Sequence, residues 1–276
     1  MSFKIVTDSS SDMFKLNDIP FEVTPLKIVT DYTEYVDDGN LDVGSMVNDL
    51  LKYRGKSSSS CPNTNEWLQA FGDSQFIFCI TITGTLSGSY NAACVAKQLY
   101  EEQHPDRKVF VINSLSTGPE MKLIIEKIRE LILLGLTYED ICKEIDLYQN
   151  KTGLIFVLES MKNLANNGRV SHIAAKAAGL LGIRVVGKAS SKGDLQPLDK
   201  PRGEQKAFLC VINHMQEEGF CGGKVRIAHC QNPQFAQQLR QVLVQKFKEI
   251  DIEIYSCGGL CSFYAEKDGI LLGFEK

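Results

Sequence analysis

The residues best suited to chemistry form a glycine- and serine-rich turn that ends in Ser87-Gly88-Ser89. The turn follows the apolar segment Phe76–Ile82, which is typical of a buried strand, and it leads into an amphipathic helical pattern. Ligands of open α/β sheets bind where strands end, and the free N–H groups at the start of a helix favour an anion there. The sequence therefore predicts a phosphate or carboxylate site at this turn. The simpler alternative is that Ser87 or Ser89 only caps the helix.

Two further groups of hydroxyl side chains are candidates for the same edge of the sheet. Ser57–Ser60 precedes Cys61, and four serines in a row are usual in a solvated loop. Alternatively, one of these hydroxyls meets the turn at Ser87, so that two donors converge on one anion. Asp8-Ser9-Ser10 follows the first apolar segment, Phe3–Thr7, and either caps a helix or reaches the same edge.

Two arginines lie in segments rich in turn-forming residues. Arg169 follows Asn-Asn-Gly, and Arg202 lies within Lys-Pro-Arg-Gly. Arginines in such loops are often only solvated. The planar guanidinium also suits phosphate binding or docking of a partner protein, so that both interpretations stay open.

The histidines and cysteines form no recognisable catalytic or metal motif. The chain has four histidines and nine cysteines, without a GxSxG sequence or a CxxC pair. His229 ends a predicted strand, but no histidine has an evident relation to Ser87. We therefore predict no metal site, no disulfide and no serine hydrolase.

Length, composition and charge exclude several classes of protein. The chain has 276 residues, of which 43% are hydrophobic, and a formal net charge of −4. Nucleic-acid-binding domains are usually strongly basic, so this class is not favoured. We find no secretion signal and no apolar segment of about 18 residues, which a membrane helix needs. The sequence predicts a cytoplasmic globular protein.

Short apolar segments alternate with amphipathic stretches, which indicates the α/β class. Residues 1–151 contain repeated strand–helix units and predict a largely parallel sheet with helices on both faces. Residues 152–276 predict a second α/β domain with a mixed sheet. They include an alanine-rich helix over Ile173–Leu181 and two late strands, Ile252–Tyr255 and Ile270–Phe274, for which antiparallel pairing is one option. We therefore expect two domains that meet near Lys151.

Five segments resemble, in the right order, those of the DegV family of bacterial fatty-acid-binding proteins. They are Ile5 to Asp12, Ser59-Ser60-Cys61-Pro62-Asn63, Leu86-Ser87-Gly88-Ser89-Tyr90-Asn91-Ala92-Ala93, Leu164 to Ser171, and Pro197 to Gly203. The third segment matches the family's LSGTYNSA closely, and the resemblance extends over nearly the whole chain.

The resemblance implies a function and a binding site. In that family two α/β domains enclose a long-chain fatty acid, whose acyl chain lies in an apolar tunnel between them. Hydroxyls of the two serine segments hold the carboxylate, which implies Ser59 with Ser60 beside it, and Ser87 with Gly88.

The resemblance also implies partners. Some members present the fatty acid to a separate kinase, which phosphorylates the carboxylate, and docking arginines of those members correspond here to Arg169 and Arg202. The resemblance thus implies a lipid carrier rather than an enzyme, with a bound fatty acid and no cofactor or nucleic acid. It leaves room for transient contact with a membrane surface.

The C-terminal segment departs from the family pattern. Tyr264 stands where a histidine is expected, and Glu266 to Asp268 replace Gly-Pro-Gly. We expect the tyrosine hydroxyl to join the carboxylate site. The added negative charge keeps a second hypothesis open, namely an enzyme or sensor for a small phosphorylated or carboxylated metabolite at the same turn.

Overall fold

The polypeptide forms alternating strands and helices. A computed structural model describes residues 2–175 and 182–276. In chain order the first elements are β1 (Phe3–Asp8), β2 (Phe21–Thr24), β3 (Lys27–Val29), β4 (Glu34–Val36), α1 (Val43–Lys52), β5 (Ser58–Ser60), α2 (Thr64–Phe71), β6 (Phe76–Thr81), α3 (Ser89–Gln103), β7 (Lys108–Asn113), α4 (Gly118–Leu133) and α5 (Tyr138–Tyr148). The later elements are β8 (Thr152–Leu158), α6 (Lys162–Asn166), α7 (His172–Ala175), β9 (Val185–Ala189), β10 (Leu195–Asp199), α8 (Glu204–Glu217), β11 (Gly223–His229), α9 (Pro233–Lys246), β12 (Ile250–Ser256), α10 (Gly259–Ala265) and β13 (Ile270–Glu275).

The N-terminal sheet has the order β2–β1–β6–β7, and all neighbouring strands are parallel. Successive side chains of a strand point to opposite faces, so each face needs its own cover. Ile5 of β1 packs in a cluster with Ile124 of α4, whereas Val6 packs with Trp67 of α2 and Ala96 of α3. The predicted parallel sheet with helices on both faces is confirmed.

A small antiparallel sheet of order β4–β3–β5 lies beside the N-terminal sheet. Its strand β5 consists of Ser58–Ser60, which pair with Val29, Ile28 and Lys27 of β3. The expectation of a loop is therefore wrong for these three residues, although Ser58 and Ser60 are exposed to solvent. Pairing with β3 satisfies backbone groups on one side of this edge strand, which overrides the weak strand preference of serine.

The C-terminal sheet has the order β10–β9–β8–β13–β11–β12 and is mixed, as predicted. β12 runs parallel to β11, whereas β13 runs antiparallel to both β8 and β11, so only the second of the two late strands is antiparallel. Helices α8 and α9 cover one face through Phe208 and Phe235. The other face carries an apolar cluster that includes Phe156 of β8 and Leu271 of β13.

Helix α4 joins the two halves of the chain. Its start lies directly on β13, where a Cβ at Gly273 would come within 2.6 Å of the Glu120 amide nitrogen, so glycine is required there. Lys122 of α4 pairs with Glu253 of β12 at 2.7 Å. These contacts hold the two sheets in one arrangement. The division of the chain into domains at residue 151 stays a prediction.

Of the helix predicted over Ile173–Leu181, the structure describes the part within α7, and the remainder lies outside the described residues. Within the described ranges, every helix is too short or too polar to cross a bilayer.

Candidate functional site

An apolar cavity lies between the N-terminal sheet and the face of the C-terminal sheet that carries Phe156 and Leu271. It encloses about 780 Å³ of space, part of which is open to solvent. Its lining is dominated by aliphatic and aromatic side chains from both halves: Leu26, Ile82, Leu86, Leu154, Phe156, Leu158, Leu164, Leu195, Leu260 and Leu271. Such a surface binds a hydrocarbon better than a polar metabolite.

The cavity extends along strand β8. Leu154, Phe156 and Leu158 alternate along the strand and line the cavity. At about 3.3 Å per residue these side chains extend over roughly 13 Å. Leu158 ends the strand just before α6, whereas Leu154 also borders a second, polar cavity that Gln149 and Thr152 line. The apolar cavity is therefore elongated.

Two hydroxyls from opposite halves of the chain meet at one end of the cavity. Ser59 Oγ lies 2.7 Å from the hydroxyl oxygen of Tyr264, and both residues line the cavity. Burial raises the pKa of Tyr264, while Ser59 and Arg169 partly oppose this shift. The tyrosine therefore stays a neutral hydrogen-bond donor at physiological pH. This pair can donate to a carboxylate without adding a charge.

Arg169 supplies a cation at the same end. Its guanidinium lies 5.8 Å from the centre of the Tyr264 ring and donates to the carbonyls of Leu86 and Asn167. Among the described lining residues, the other charged one is Asp194, which is exposed in the turn between β9 and β10. The positive charge of Arg169 thus makes this end of the cavity favourable for an anion.

Asp8 fixes the turn that carries Ser87. Its Oδ2 accepts hydrogen bonds from Ile82 N at 2.9 Å and from Ser89 Oγ at 2.6 Å. Burial raises the pKa of Asp8, and bonds from Ser10, Ser89 and Ile82 oppose this shift. Ser87 lines the cavity, and its Oγ also accepts a bond from Ser89 N at 3.3 Å. Asp8 therefore holds the turn in place and is itself absent from the lining.

Helix α6 links the two segments that carry the paired hydroxyls. Asn167 Nδ2 donates to the carbonyl of Ser57 at 3.2 Å, close to β5. Asn163 Nδ2 donates to the carbonyl of Phe263 in α10 at 2.8 Å, and Asn163 N donates to Glu266. The side-chain amide of Asn167 thus connects the end of α6 to the residue that precedes β5. Glu266 is bound to α6 rather than turned toward the cavity hydroxyls.

The structure brings together some of the predicted site residues and leaves others apart. Ser59, Ser87, Tyr264 and Arg169 line one cavity, whereas Ser60, Gly88 and Arg202 are exposed and do not line it. Strand alternation explains the contrast between Ser59 and Ser60. Gly88 is next to Ser87 in the turn, and a Cβ there would come within 3.2 Å of Cys61 Sγ. Their functional roles stay predictions.

Sequence reasoning missed two buried carboxylates beside the site. Asp12 Oδ1 accepts from Gly258 N at 2.8 Å, and burial raises the pKa of Asp12 to about 8. Asp37 accepts from the first residues of α10, and burial raises its pKa as well. The TDSSSD segment contains Asp12, so this signal was available. Nothing in the sequence marks Asp37.

The described lining contains no histidine. His229 is buried elsewhere, where burial lowers its pKa and leaves Nδ1 without a partner. Within the described residues, no group of histidine, cysteine and acidic side chains is suited to hold a metal ion.

The model of a known protein family, that of the uncharacterised DegV proteins, matches residues 2–275. The chain belongs to the DegV family. A DegV domain-containing protein of Streptococcus pyogenes serotype M18 is 43% identical over the full length of both chains. The resemblance identified from short motifs is thus confirmed for the whole chain.

Solved DegV structures have the same fold. A DegV protein of Eubacterium eligens loaded with heptadecanoic acid is 43% identical, with a TM-score of 0.98 and full coverage of both chains. The Fatty Acid Kinase (Fak) B3 protein of Streptococcus pneumoniae, loaded with linoleic acid, is 42% identical. Its TM-score is 0.97, and the match covers 100% of this chain and 99% of that one.

Proposed function

We propose that this DegV protein binds a long-chain fatty acid in the cavity between its two domains, residues 1–151 and 152–276. The acyl chain lies along β8. The carboxylate is held at the end where Ser59, Ser87, Tyr264 and Arg169 line the cavity.

The observation that carries this proposal is the contact of Ser59 Oγ with the hydroxyl of Tyr264 at one end of an apolar cavity. A fatty acid matches this arrangement, because it has a polar carboxylate at one end and a long apolar chain. Its affinity comes mainly from burial of methylene groups, at about 0.8 kcal/mol each. The two hydroxyls then need only orient the carboxylate.

We further propose that the protein acts in the cytoplasm as a carrier rather than as an enzyme, and presents the bound carboxylate to a fatty-acid kinase. The name of the S. pneumoniae relative, a Fatty Acid Kinase (Fak) B3 protein, supports this role. The described lining includes no histidine that could act as a general base. Binding of a fatty acid at the proposed site needs no cofactor.

Native mass spectrometry of the purified protein tests the proposal, followed by lipid extraction. We expect an adduct with the mass of one long-chain fatty acid, or uptake of added palmitate or oleate at one per chain. A protein that is isolated empty and takes up neither acid contradicts the proposal. That result would favour the alternative of a site for a small phosphorylated or carboxylated metabolite.

The adjacent serines of β5 provide a matched pair of variants. Ser59→Ala is expected to weaken palmitate binding about 10-fold to 100-fold, because a hydrogen bond to a charged group contributes roughly 1.5–3 kcal/mol. Ser60→Ala should change the affinity less than about twofold, since the side chain of Ser60 points away from the cavity. Isothermal titration measures both. Equal losses in the two variants would contradict the assignment of Ser59.

A further inference from the structure

Helix α10 forms one wall of the candidate site. Four of its residues line the cavity: Leu260, Cys261, Tyr264 and Ala265. Their spacing places them on one side of the helix. The position of this short helix therefore decides where the hydroxyl of Tyr264 stands relative to Ser59.

The start of α10 is bound by carboxylates from the N-terminal half. Asp37 Oδ1 accepts from Gly259 N at 2.7 Å, and Asp37 Oδ2 accepts from Leu260 N at 2.9 Å. Asp12 Oδ1 accepts from the preceding residue, Gly258, at 2.8 Å. Asp37 is fully buried, so water does not substitute for it.

Asp37 is itself held firmly. Its N–H donates to the carbonyl of Leu26 at 3.0 Å, and Ser9 Oγ accepts from Leu26 N at 3.0 Å. The hydroxyl of Ser9 also faces the Asp37 carboxylate and opposes the rise of its pKa. A Cβ at Gly259 would lie 2.8 Å from Asp37 Oδ1, so the helix approaches the carboxylate as closely as glycine permits.

Asp37 is too far along the helix to touch a ligand at the hydroxyl end. Tyr264 lies four residues beyond Leu260, which corresponds to roughly 6 Å of rise along an α-helix. Asp37 is also absent from the described lining of the cavity. Asp37 also bonds Leu26, which lines the cavity, but α10 is the element that carries the hydroxyl of Tyr264.

We propose that Asp37 is a positioning residue, which sets the hydroxyl of Tyr264 against Ser59 by binding the first turn of α10. The proposal rests on fatty-acid binding at this site. It assigns a function to a contact between the two halves of the chain, and not only a contribution to stability.

A double-mutant cycle in palmitate binding tests the proposal. Asp37→Asn replaces one acceptor oxygen by an amide group, which faces a backbone N–H without bonding it. We expect this change to lower the affinity about tenfold when Tyr264 is present. In the Tyr264→Phe background the same change should have less than about a twofold effect, because the hydroxyl to be positioned is gone. An equal loss in both backgrounds, or no loss in either, overturns the proposal.

Thr137→Ala is the matched control. Thr137 caps α5 through a bond from Asp140 N at 3.2 Å, and the described lining includes no residue of α5. Removal of a helix cap lowers the stability of the folded protein. The control should thus lower the melting temperature but leave palmitate affinity unchanged. A matching loss of affinity in the control would show that stability alone accounts for the Asp37 effect.

A second variant and a second measurement cover the case in which Asp37→Asn does not fold. Gly259→Ala places a methyl group 2.8 Å from Asp37 Oδ1 and 2.7 Å from Leu41 Cδ2, so that it disturbs the contact with Asp37 from the side of the helix. In protein labelled with fluorotyrosine, the ¹⁹F resonance that Tyr264→Phe removes should shift in Gly259→Ala and stay in place in Thr137→Ala. An unshifted resonance contradicts the proposal. Failure of the wild type to bind palmitate would instead contradict the proposed function. The ¹⁹F measurement does not need a bound ligand, so it tests the positioning role separately.

Discussion

Replacement of palmitate by octanoate is expected to weaken binding about ten-thousandfold. The two acids have the same carboxylate and differ by eight methylene groups. At about 0.8 kcal/mol for each buried methylene this difference amounts to roughly 6 kcal/mol, and about 1.4 kcal/mol corresponds to a factor of ten. The apolar lining along Leu154, Phe156 and Leu158 is the basis of this expectation. Isothermal titration with saturated acids of even carbon number measures it.

The gain in affinity should stop once the chain reaches the far end of the cavity. Leu154 and Ala189 border both the apolar cavity and the polar cavity behind it. A longer chain would leave apolar surroundings there and gain little from each further methylene. Dodecanol is a useful control, since it keeps a twelve-carbon chain without the carboxylate. An affinity that is independent of chain length would contradict an acyl site and favour a site for a small anionic metabolite.

Arg169→Gln is expected to lower the affinity for palmitate about 10-fold to 100-fold. The change removes the cation at the hydroxyl end of the cavity, where a hydrogen bond to a charged group contributes roughly 1.5–3 kcal/mol. The affinity for hexadecanol should change by less than about threefold, because its head group carries no charge. Competition against a fluorescent fatty acid measures both ligands.

Arg202→Gln separates this role from docking of a partner. Arg202 is exposed and does not line the cavity, so its loss should leave palmitate affinity unchanged. If Arg169→Gln also leaves palmitate affinity unchanged, Arg169 does not bind the head group, and the predicted docking role becomes the better explanation of both arginines.

The sequence was sufficient to predict the class of fold. Alternating apolar and amphipathic segments produce strand–helix units whatever their partners, because the period of the pattern is local. The parallel N-terminal sheet and the mixed C-terminal sheet follow from this signal. The direction of β12 relative to β11 does not follow from it, because the same hydrophobic pattern suits a strand with a parallel or an antiparallel neighbour.

The family motifs led to Ser59, Ser87, Tyr264 and Arg169, which the structure places around one cavity. The motifs did not separate Ser59 from Ser60. The pairing of β5 with β3 decides which serine faces the cavity. Alternation along a strand shows only that Ser59 and Ser60 point to opposite faces, and the register of the pairing determines which face is the inner one. Likewise, Arg169 looks like a surface residue in the sequence, and only the fold puts it against the ring of Tyr264.

The sequence by itself thus determined the family, the class of fold and four of the polar side chains that line the cavity, but not its apolar lining. Only the tertiary structure decided that Ser59 and Tyr264, which are 205 positions apart, meet at 2.7 Å, and that Asp37 binds the helix that carries Tyr264. The physical reason is that hydrophobic pattern and turn signals act over a few residues. Contacts between the two halves depend instead on how two sheets pack across α4, which no local pattern specifies.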